Sequence, residues 1–511
     1  MPSTGAIRSS SSVSRSASSS ISGTSFSSTG KRGRTGLARG WFGPAAAIVA
    51  LVTALRLVAL WFGQTDLFVD ESQYWLWGRN LDLGYYSKPP LIAWVIRGVT
   101  GLFGSDAAFF VRLPGAVLHG ATALLLGGVA ARLLDARAAL WTAVTYLTLP
   151  MAALGSLLFS TDTVMAPFLA AALLFNLRAA ETGRAGPAML AGVLAGCAFL
   201  AKYAAIYLLI GLGLAAVFVP AVRIPPRAAL ALALGFAATI LPNVLWNIGN
   251  GLATVAHTMD NVGWVRGESW FSGLNPAGLA EFLLAQFAVA GPVVFVALLW
   301  GYVRPGEPAL RALALISAPP LLIVSVQAVL DKAYANWALA AYFAGTVLAV
   351  GVLLARAPRL LPVSLAVNGS ISVLLPVLVV LAPWPAWRGE PLLARYLGRS
   401  DLSRQIIAAA EGAGLTTVVS ANRDILADLF HTGRASGLTF AAPAPQGRAQ
   451  NYYEQTHPLG AGPMPVLFVA AAAPDCAFDP PVAGFDTAHG AYARMDLAAW
   501  RLTADCANAA P

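Results

Sequence analysis

Two stretches of the chain bring acids, a cation and aromatic rings together in a pattern that can do chemistry. The first runs Asp70-Glu71-Ser72-Gln73-Tyr74-Trp75-Leu76-Trp77, the second Tyr85-Tyr86-Ser87-Lys88-Pro89-Pro90. A carboxylate in such a setting can take the proton of an attacking hydroxyl, typically worth ~10²–10⁴-fold in rate, and Asp70 is the best-placed candidate. If the segment is helical, Asp70 and Glu71 point about 100° apart, so one acts on substrate while the other holds the loop or a nearby cation. Lys88 precedes Pro89-Pro90, which stops a helix and fixes the chain, so it offers a cation at the depth of lipid phosphates. Further along stand Ser160-Thr161-Asp162, Lys202-Tyr203, Trp246-Asn247 with His257, Asp260 and Arg266, and Asp331-Lys332 ahead of Asn336-Trp337. A helix cap, a snorkelling lysine or a solvated loop accounts for any of these taken alone. Together they form one face of acids, cations and aromatic rings.

The elements that must position this face are apolar. Of 511 residues 57% are hydrophobic and only 11% charged, which excludes a soluble globular enzyme. The net charge of +9 does not point to nucleic acid, because Arg8, Arg15, Lys31, Arg32, Arg34 and Arg39 supply six of those charges in a tail without acids. No basic stripe with interleaved aromatics follows. Residues 1–40 hold fourteen Ser and read as a disordered cytoplasmic tail. The stretch from Trp41 to Phe62 approaches the ~20 residues needed to cross a bilayer and reads as a retained first span. Apolar runs then follow at about 107–131, 138–158, 163–180, 187–202, 204–220, 228–246, 281–302, 312–330, 337–355 and 360–383, giving about eleven spans in a membrane domain over 41–383.

Orientation follows from the arginines, since basic residues of short loops collect on the cytoplasmic side. With the tail inside, the inner loops carry Arg132 and Arg137, Arg178 and Arg184, Arg223 and Arg227, Arg304 and Arg311, and Arg356 and Arg359. The acid-rich face then lies outside, as does the last stretch, 384–511. That stretch changes to short apolar runs (Leu415 to Ser420, Pro465 to Val469) between helix-like segments and reads as a small outer-face, periplasmic α/β domain. Cys476 and Cys506 fall within it, as a disulfide or as two free thiols.

No Walker loop, HExxH, CxxC or GxSxG occurs. The order and spacing of Asp70-Glu71-x-x-Tyr74, Tyr85-x-x-Lys88-Pro89-Pro90, Arg112-Leu113-Pro114, Ser160-Thr161-Asp162, Lys202-Tyr203, Pro242-Asn243-x-x-Trp246-Asn247 and Asn336-Trp337 instead resembles the polytopic glycosyltransferases of the GT-C class. The likeness is to the protein O-mannosyltransferase and lipid A aminoarabinose transferase types, over residues 60 to 345. It implies an all-α membrane bundle with interfacial helices in the first outer loop and a small soluble α/β domain. The activity implied is inverting transfer of a sugar from a polyprenyl-phosphate donor to a lipid, glycan or protein acceptor on the outer face of a bacterial-type inner membrane.

Carried over by this resemblance, Asp70 is the base or acceptor-orienting group and Asp162 the supporting acid, with Glu71 beside them. Lys88 matches the residue that meets the donor phosphate. From the residue types themselves, Lys202, Arg266 and Lys332 can add charge-assisted hydrogen bonds to that phosphate, with Tyr85 as a further donor contact; Tyr74, Asn247, His257 and Asn336 are candidate substrate contacts. Asp70, Lys88 and Asp162 are then expected to line one cavity. No cofactor is required, since a lipid-borne donor needs no nucleotide loop. A divalent metal is left open at His257, but aminoarabinose transferases carry an acid just before the lysine, where this chain has Ser87. The alternative reading is a transporter or flippase of a polyprenyl-phosphate or other amphipathic lipid, which calls for an internal repeat that the sequence does not show.

Overall fold

The structure is a computed structural model describing residues 40–261, 274–384, 386–462 and 464–509. The expected tail and Arg266 lie outside the described residues. A helical bundle carries a small α/β domain at its C-terminal end, the fold class expected.

The first span is α1 (Phe42–Trp61), and two short helices, α2 (Val69–Arg79) and α3 (Leu91–Phe103), form the loop after it. The bundle continues with α4 (Ala108–Leu133), α5 (Ala136–Thr148), α6 (Pro150–Gly155), α7 (Thr161–Thr182), α8 (Ala185–Ala201), α9 (Ile206–Phe218), α10 (Pro226–Gly249), α11 (Ala253–Asn261), α12 (Pro276–Ala290), α13 (Pro292–Val303), α14 (Pro308–Leu330), α15 (Ala341–Arg356) and α16 (Leu360–Leu381). Among the described residues six helices are long and apolar enough to cross a membrane by themselves: α1, α4, α7, α10, α14 and α16. The other expected spans fold as shorter pieces. The 138–158 stretch breaks at Pro150 into α5 and α6, because proline lacks the amide that would continue the helix. The 281–302 stretch is no straight span: α12 and α13 meet at 116°. Gly291 makes that corner at φ +80°, where a Cβ would lie 1.8 Å from Asn368 Oδ1, and the Asn368 amide donates to the Ala290 carbonyl at 3.1 Å.

Arg56, in the middle of α1, is buried. It donates to Ser156 Oγ (2.9 Å), the Leu147 carbonyl (2.6 Å) and Ser372 Oγ (2.8 Å), tying α1 to α5, to the end of α6 and to α16. In hydrocarbon such a cation is costly; both terminal nitrogens are used here, and Nε has no partner among the described residues.

The C-terminal domain contains α17 (Arg399–Gly412), β1 (Thr417–Val419), α18 (Arg423–Thr432), β2 (Thr439–Ala441), α19 (Tyr452–Thr456), β3 (Pro465–Ala470), β4 (Ala483–Gly484), β5 (Ala498–Thr503) and α20 (Ala504–Ala509). The strand order is β2-β1-β3-β5-β4. β2 and β3 flank β1 in parallel, while β5 runs antiparallel to β3 with Phe468 opposite Trp500. Val418, Val419, Leu467 and Phe468 are buried, as continuous apolar strands covered on both faces should be. Cys476 and Cys506 form a disulfide with Cα atoms 6.0 Å apart.

This domain sits on α2. Asp66 accepts from the Arg399 amide at 2.8 Å and from Ser400 Oγ at 2.6 Å; the His431 ring bonds the Asp106 carbonyl at 2.9 Å and packs edge-on against Trp75. Trp75 and Trp77 are therefore buried under protein. Of the two helices expected in this loop, α2 is covered by the C-terminal domain, while α3 leaves Leu102 and Phe103 exposed at its end.

Candidate active site

The two adjacent acids of α2 diverge, as the 100° step requires. Glu71 is 1% exposed and its oxygens receive Arg112 Nε (2.9 and 3.1 Å), Arg112 Nη2 (2.7 Å), the Phe159 amide (2.8 Å) and the Phe68 amide (2.9 Å). Arg112 spends its remaining donors on Thr65 and the Asp66 carbonyl. A carboxylate so enclosed has no face left for substrate. Asp70 is 45% exposed and pairs through Oδ1 alone with Arg423 Nη2, while Arg423 Nε donates to Gln73 Oε1 at 2.9 Å. Arg423 opens α18 of the C-terminal domain, 353 residues from its partner.

Lys88 is half-buried in the loop ahead of α3. Among the described residues its ammonium makes no hydrogen bond or ion pair. Burial, and then the nearby Lys202, push it below the ordinary lysine range, while Asp70 and Asp162 pull it back. Asp162, the second residue of α7, receives Lys202 Nζ at 2.8 and 2.7 Å, and Ser160 caps that helix by accepting from the Thr163 amide. Lys202 also lies 3.4 Å from the Asn336 carbonyl. Two cavities flank this pair. One, about 320 Å³, is lined by Lys88, Lys202, Tyr207, Ile323 and Trp337. The other, about 450 Å³, is mainly apolar and is lined by Asp162, Asn336, His119, Met151 and Phe343. Lys88 and Asp162 thus line neighbouring hollows on either side of the Asp162–Lys202 pair, and Asp70 lines neither of these two.

Several sequence candidates are used by the scaffold. Tyr85 stacks on Trp77 at 4.7 Å, and its hydroxyl lies among the Trp77 carbonyl (3.0 Å), the Asn80 carbonyl (3.1 Å) and the Asp82 amide (3.1 Å), so it holds the loop. Asn247 gives its amide to Tyr203 Oη (3.2 Å) and the Asn243 carbonyl (3.0 Å), and Asn243 in turn donates to the Leu83 carbonyl at 2.7 Å. This motif clamps the first loop. Its Trp246 lies so close that a Cβ at Gly84 would meet the ring at 2.3 Å. Lys332 is exposed and lines neither cavity. Tyr74 is buried near Asp70; burial and then that charge push its phenol well above the ordinary range.

His257 packs against Tyr86, and burial followed by Lys88 pushes it down to about 4. No three His, Cys, Asp or Glu side chains converge among the described residues. Ser87 stands beside the lysine, so the described residues bring no such ligand set to His257.

Missed by sequence reasoning were Arg423, Arg56 and His119. His119 Nδ1 bonds Tyr146 Oη at 2.9 Å inside the bundle, beside the larger cavity.

Residues 87–246 match the family described as dolichyl-phosphate-mannose-protein mannosyltransferase. Lipid A galacturonosyltransferase RgtD of Rhizobium johnstonii is 40% identical over 471 residues, covering 90% of this chain and 98% of the relative. The chain belongs to the GT-C family of membrane glycosyltransferases. The crystal structure of ArnT from Cupriavidus metallidurans in the apo state shares its fold, with a TM-score of 0.59 at 17% identity over 92% of this chain and 99% of that one. The same protein bound to undecaprenyl phosphate also gives 0.59, at 17% identity over 90% and 98%. As in the rest of the family, the catalysed reaction is transfer of a sugar from a lipid-linked donor, and the protein is a multi-pass membrane enzyme.

Proposed function

We propose that this enzyme moves an acidic hexose, galacturonic acid, from a polyprenyl phosphate to a lipid A-type acceptor on the outer face of a bacterial inner membrane. The sugar and acceptor follow the activity named for RgtD, and the lipid carrier follows the undecaprenyl phosphate named in the ArnT complex. One observation carries the reading: the half-buried, unpaired ammonium of Lys88 in a cavity whose far wall is apolar, in electrostatic reach of two acids. Such a cation wants an anion, and an apolar wall beside it suits a prenyl chain. The larger, apolar cavity across the Asp162–Lys202 pair suits an acyl-bearing acceptor.

In this reading the acceptor hydroxyl attacks the anomeric carbon, its proton passes to Asp70 Oδ2, and the bond from the anomeric carbon to the phosphate oxygen breaks with inversion. The polyprenyl phosphate leaves with one more negative charge, which Lys88 receives. Asp162 fixes the Lys202 ammonium, and Glu71 acts as a positioning residue that pins α2 to α4. The arginine pairs of the inner loops and the Cys476–Cys506 disulfide support an outward-facing C-terminal domain.

The test is transfer of galacturonic acid from its polyprenyl-phosphate ester to purified lipid A by the full-length enzyme. Asp70→Asn is expected to lower transfer by ~10²–10⁴-fold while undecaprenyl phosphate still binds. Absence of transfer with the wild type, or undiminished transfer by Asp70→Asn, overturns the reading.

A further inference from the structure

The Arg423–Asp70 pair is built from two domains. Arg423 is the first residue of α18, behind Asn422, which caps that helix by accepting from the Asp424 amide at 2.8 Å. It follows the carboxyl end of β1, the strand flanked in parallel by β2 and β3. In open α/β sheets ligands are held at the carboxyl edge where the strand order reverses, and here that edge delivers a guanidinium onto α2. The fork spans two side chains of one face of α2: Nη2 meets Asp70 Oδ1, and Nε meets Gln73 three residues on.

This pair does not hold the domain in place. It is 37% and 45% exposed, and an ion pair in that setting adds little to stability. Docking is secured elsewhere, by Asp66 with Arg399 and Ser400, by His431 on Asp106, and by Tyr86 Oη donating to the Ala449 carbonyl at 3.0 Å. What the pair does is fix a carboxylate. With Oδ1 and its neighbour Gln73 engaged by one rigid fork, the Asp70 group loses its rotation, and Oδ2, which makes no hydrogen bond among the described residues, is left open.

We propose that Arg423 is a positioning residue supplied by the outer domain, which aims the free oxygen of Asp70 at the acceptor hydroxyl and thereby makes transfer depend on that domain being docked. The proposal rests on the reading of Asp70 as the base.

The experiment compares full-length wild type, Arg423→Ala, Arg423→Lys, the double variant Arg423→Ala with Gln73→Arg, and Asp70→Asn. The probes are polyprenyl-phosphate galacturonic acid with lipid A for kcat and KM, undecaprenyl phosphate alone for binding, and thermal unfolding for fold. Misplacing a reacting group by about 1 Å costs ~10²-fold, so Arg423→Ala is expected to lower kcat by about that factor, with donor KM and undecaprenyl phosphate binding within about twofold of wild type. Lysine supplies the charge without the fork and recovers only part. An arginine at position 73 shares the helix face of Asp70, so the double variant is expected to regain at least ~10-fold in kcat, which a docking role would not produce. Arg423→Ala with kcat within about twofold of wild type, beside an inactive Asp70→Asn, refutes this inference alone. A loss in Arg423→Ala matched by equal losses in undecaprenyl phosphate binding and melting temperature refutes it too. An active Asp70→Asn removes the reading beneath it.

Discussion

Lys88→Met separates a cation kept for a ligand from a cation kept for the fold. The side chains are similar in length, and the cavity around position 88 has apolar walls in Ile206, Ile323 and Val324. A hydrogen bond to a charged group contributes ~1.5–3 kcal/mol, and each ~1.4 kcal/mol is tenfold in affinity, so undecaprenyl phosphate binding should weaken ~10–100-fold. The fold should not suffer. Nothing among the described residues pairs with the ammonium, and methionine removes the desolvation that the free protein bears, so the melting temperature should hold or rise. The pH dependence has a definite sign. Burial and Lys202 place the free ammonium below the ordinary lysine range, so wild-type affinity should fall on the alkaline side before pH ~10.4, as Lys88 loses its proton, and the methionine variant should lack that fall. Binding is read by titration of purified protein with undecaprenyl phosphate, stability by thermal unfolding in the same detergent. Affinity within about twofold of wild type, or a melting temperature that collapses, would refute the assignment.

Removing Arg112 strands the buried Glu71 carboxylate, so Arg112→Ala should cost ~3–5 kcal/mol, read as lost thermal stability, whereas Glu71→Gln with Arg112 intact should abolish activity only as far as it loosens α2. Gly84→Ala drives a Cβ into the Trp246 ring and should weaken undecaprenyl phosphate binding through the displaced loop; Trp246→Ala in the same chain should restore part of it, giving a positive coupling in a double-mutant cycle. His431 is held down to about 4 by burial, so the unfolded chain binds the extra proton first. Stability should therefore drop as pH falls from ~6.5 to about 4, and His431→Gln should flatten that drop in a pH series of melting temperatures.

What the sequence could say of this site depended on whether a residue's partners were near in the chain. Asp70 and Glu71 could be told apart in principle because one helical step turns them to different sides. Ser160 as the cap of α7 was readable for the same local reason. Lys88 was legible from the two prolines behind it. Tyr85 and Asn247 were not, since the same residue types serve a ligand or a loop clamp, and only Trp77, Tyr203 and Leu83 in space decide between them. The pairing of Lys202 with Asp162 spans 40 residues and turned two separate expectations into one ion pair. Arg423 lies 353 residues from Asp70 in a domain legible only as α/β. It left one faint signal: a cation on the first turn of a helix, where the macrodipole disfavours it unless an acid stands opposite. Arg56 was the plainer anomaly, a charge in the middle of the first span with its acceptors on three other segments.

The pairing pattern also bears on how charge moves during transfer. Asp162 is neutralised by Lys202 and Asp70 by Arg423, which leaves Lys88 as one positive charge in excess among these five groups. The phosphodiester that links the sugar to the prenyl chain carries one negative charge, which matches that excess, while the carboxylate of a galacturonic acid adds a second that these five groups do not match. In the proposed mechanism the proton of the acceptor hydroxyl neutralises Asp70 as the phosphate gains its second charge, so negative charge moves from the Arg423 side toward Lys88 while the total stays constant. A site partly enclosed between two domains tolerates such a shift more readily than a net gain, because no new uncompensated charge appears in it. Arg423→Ala and Lys88→Met each unbalance one end of this path, and on this argument their effects on kcat should fail to add: once one end is unbalanced, the remaining cation no longer has a matched charge to receive or release. Strict additivity in the double variant, measured as kcat against both single variants, would count against a linked charge shift.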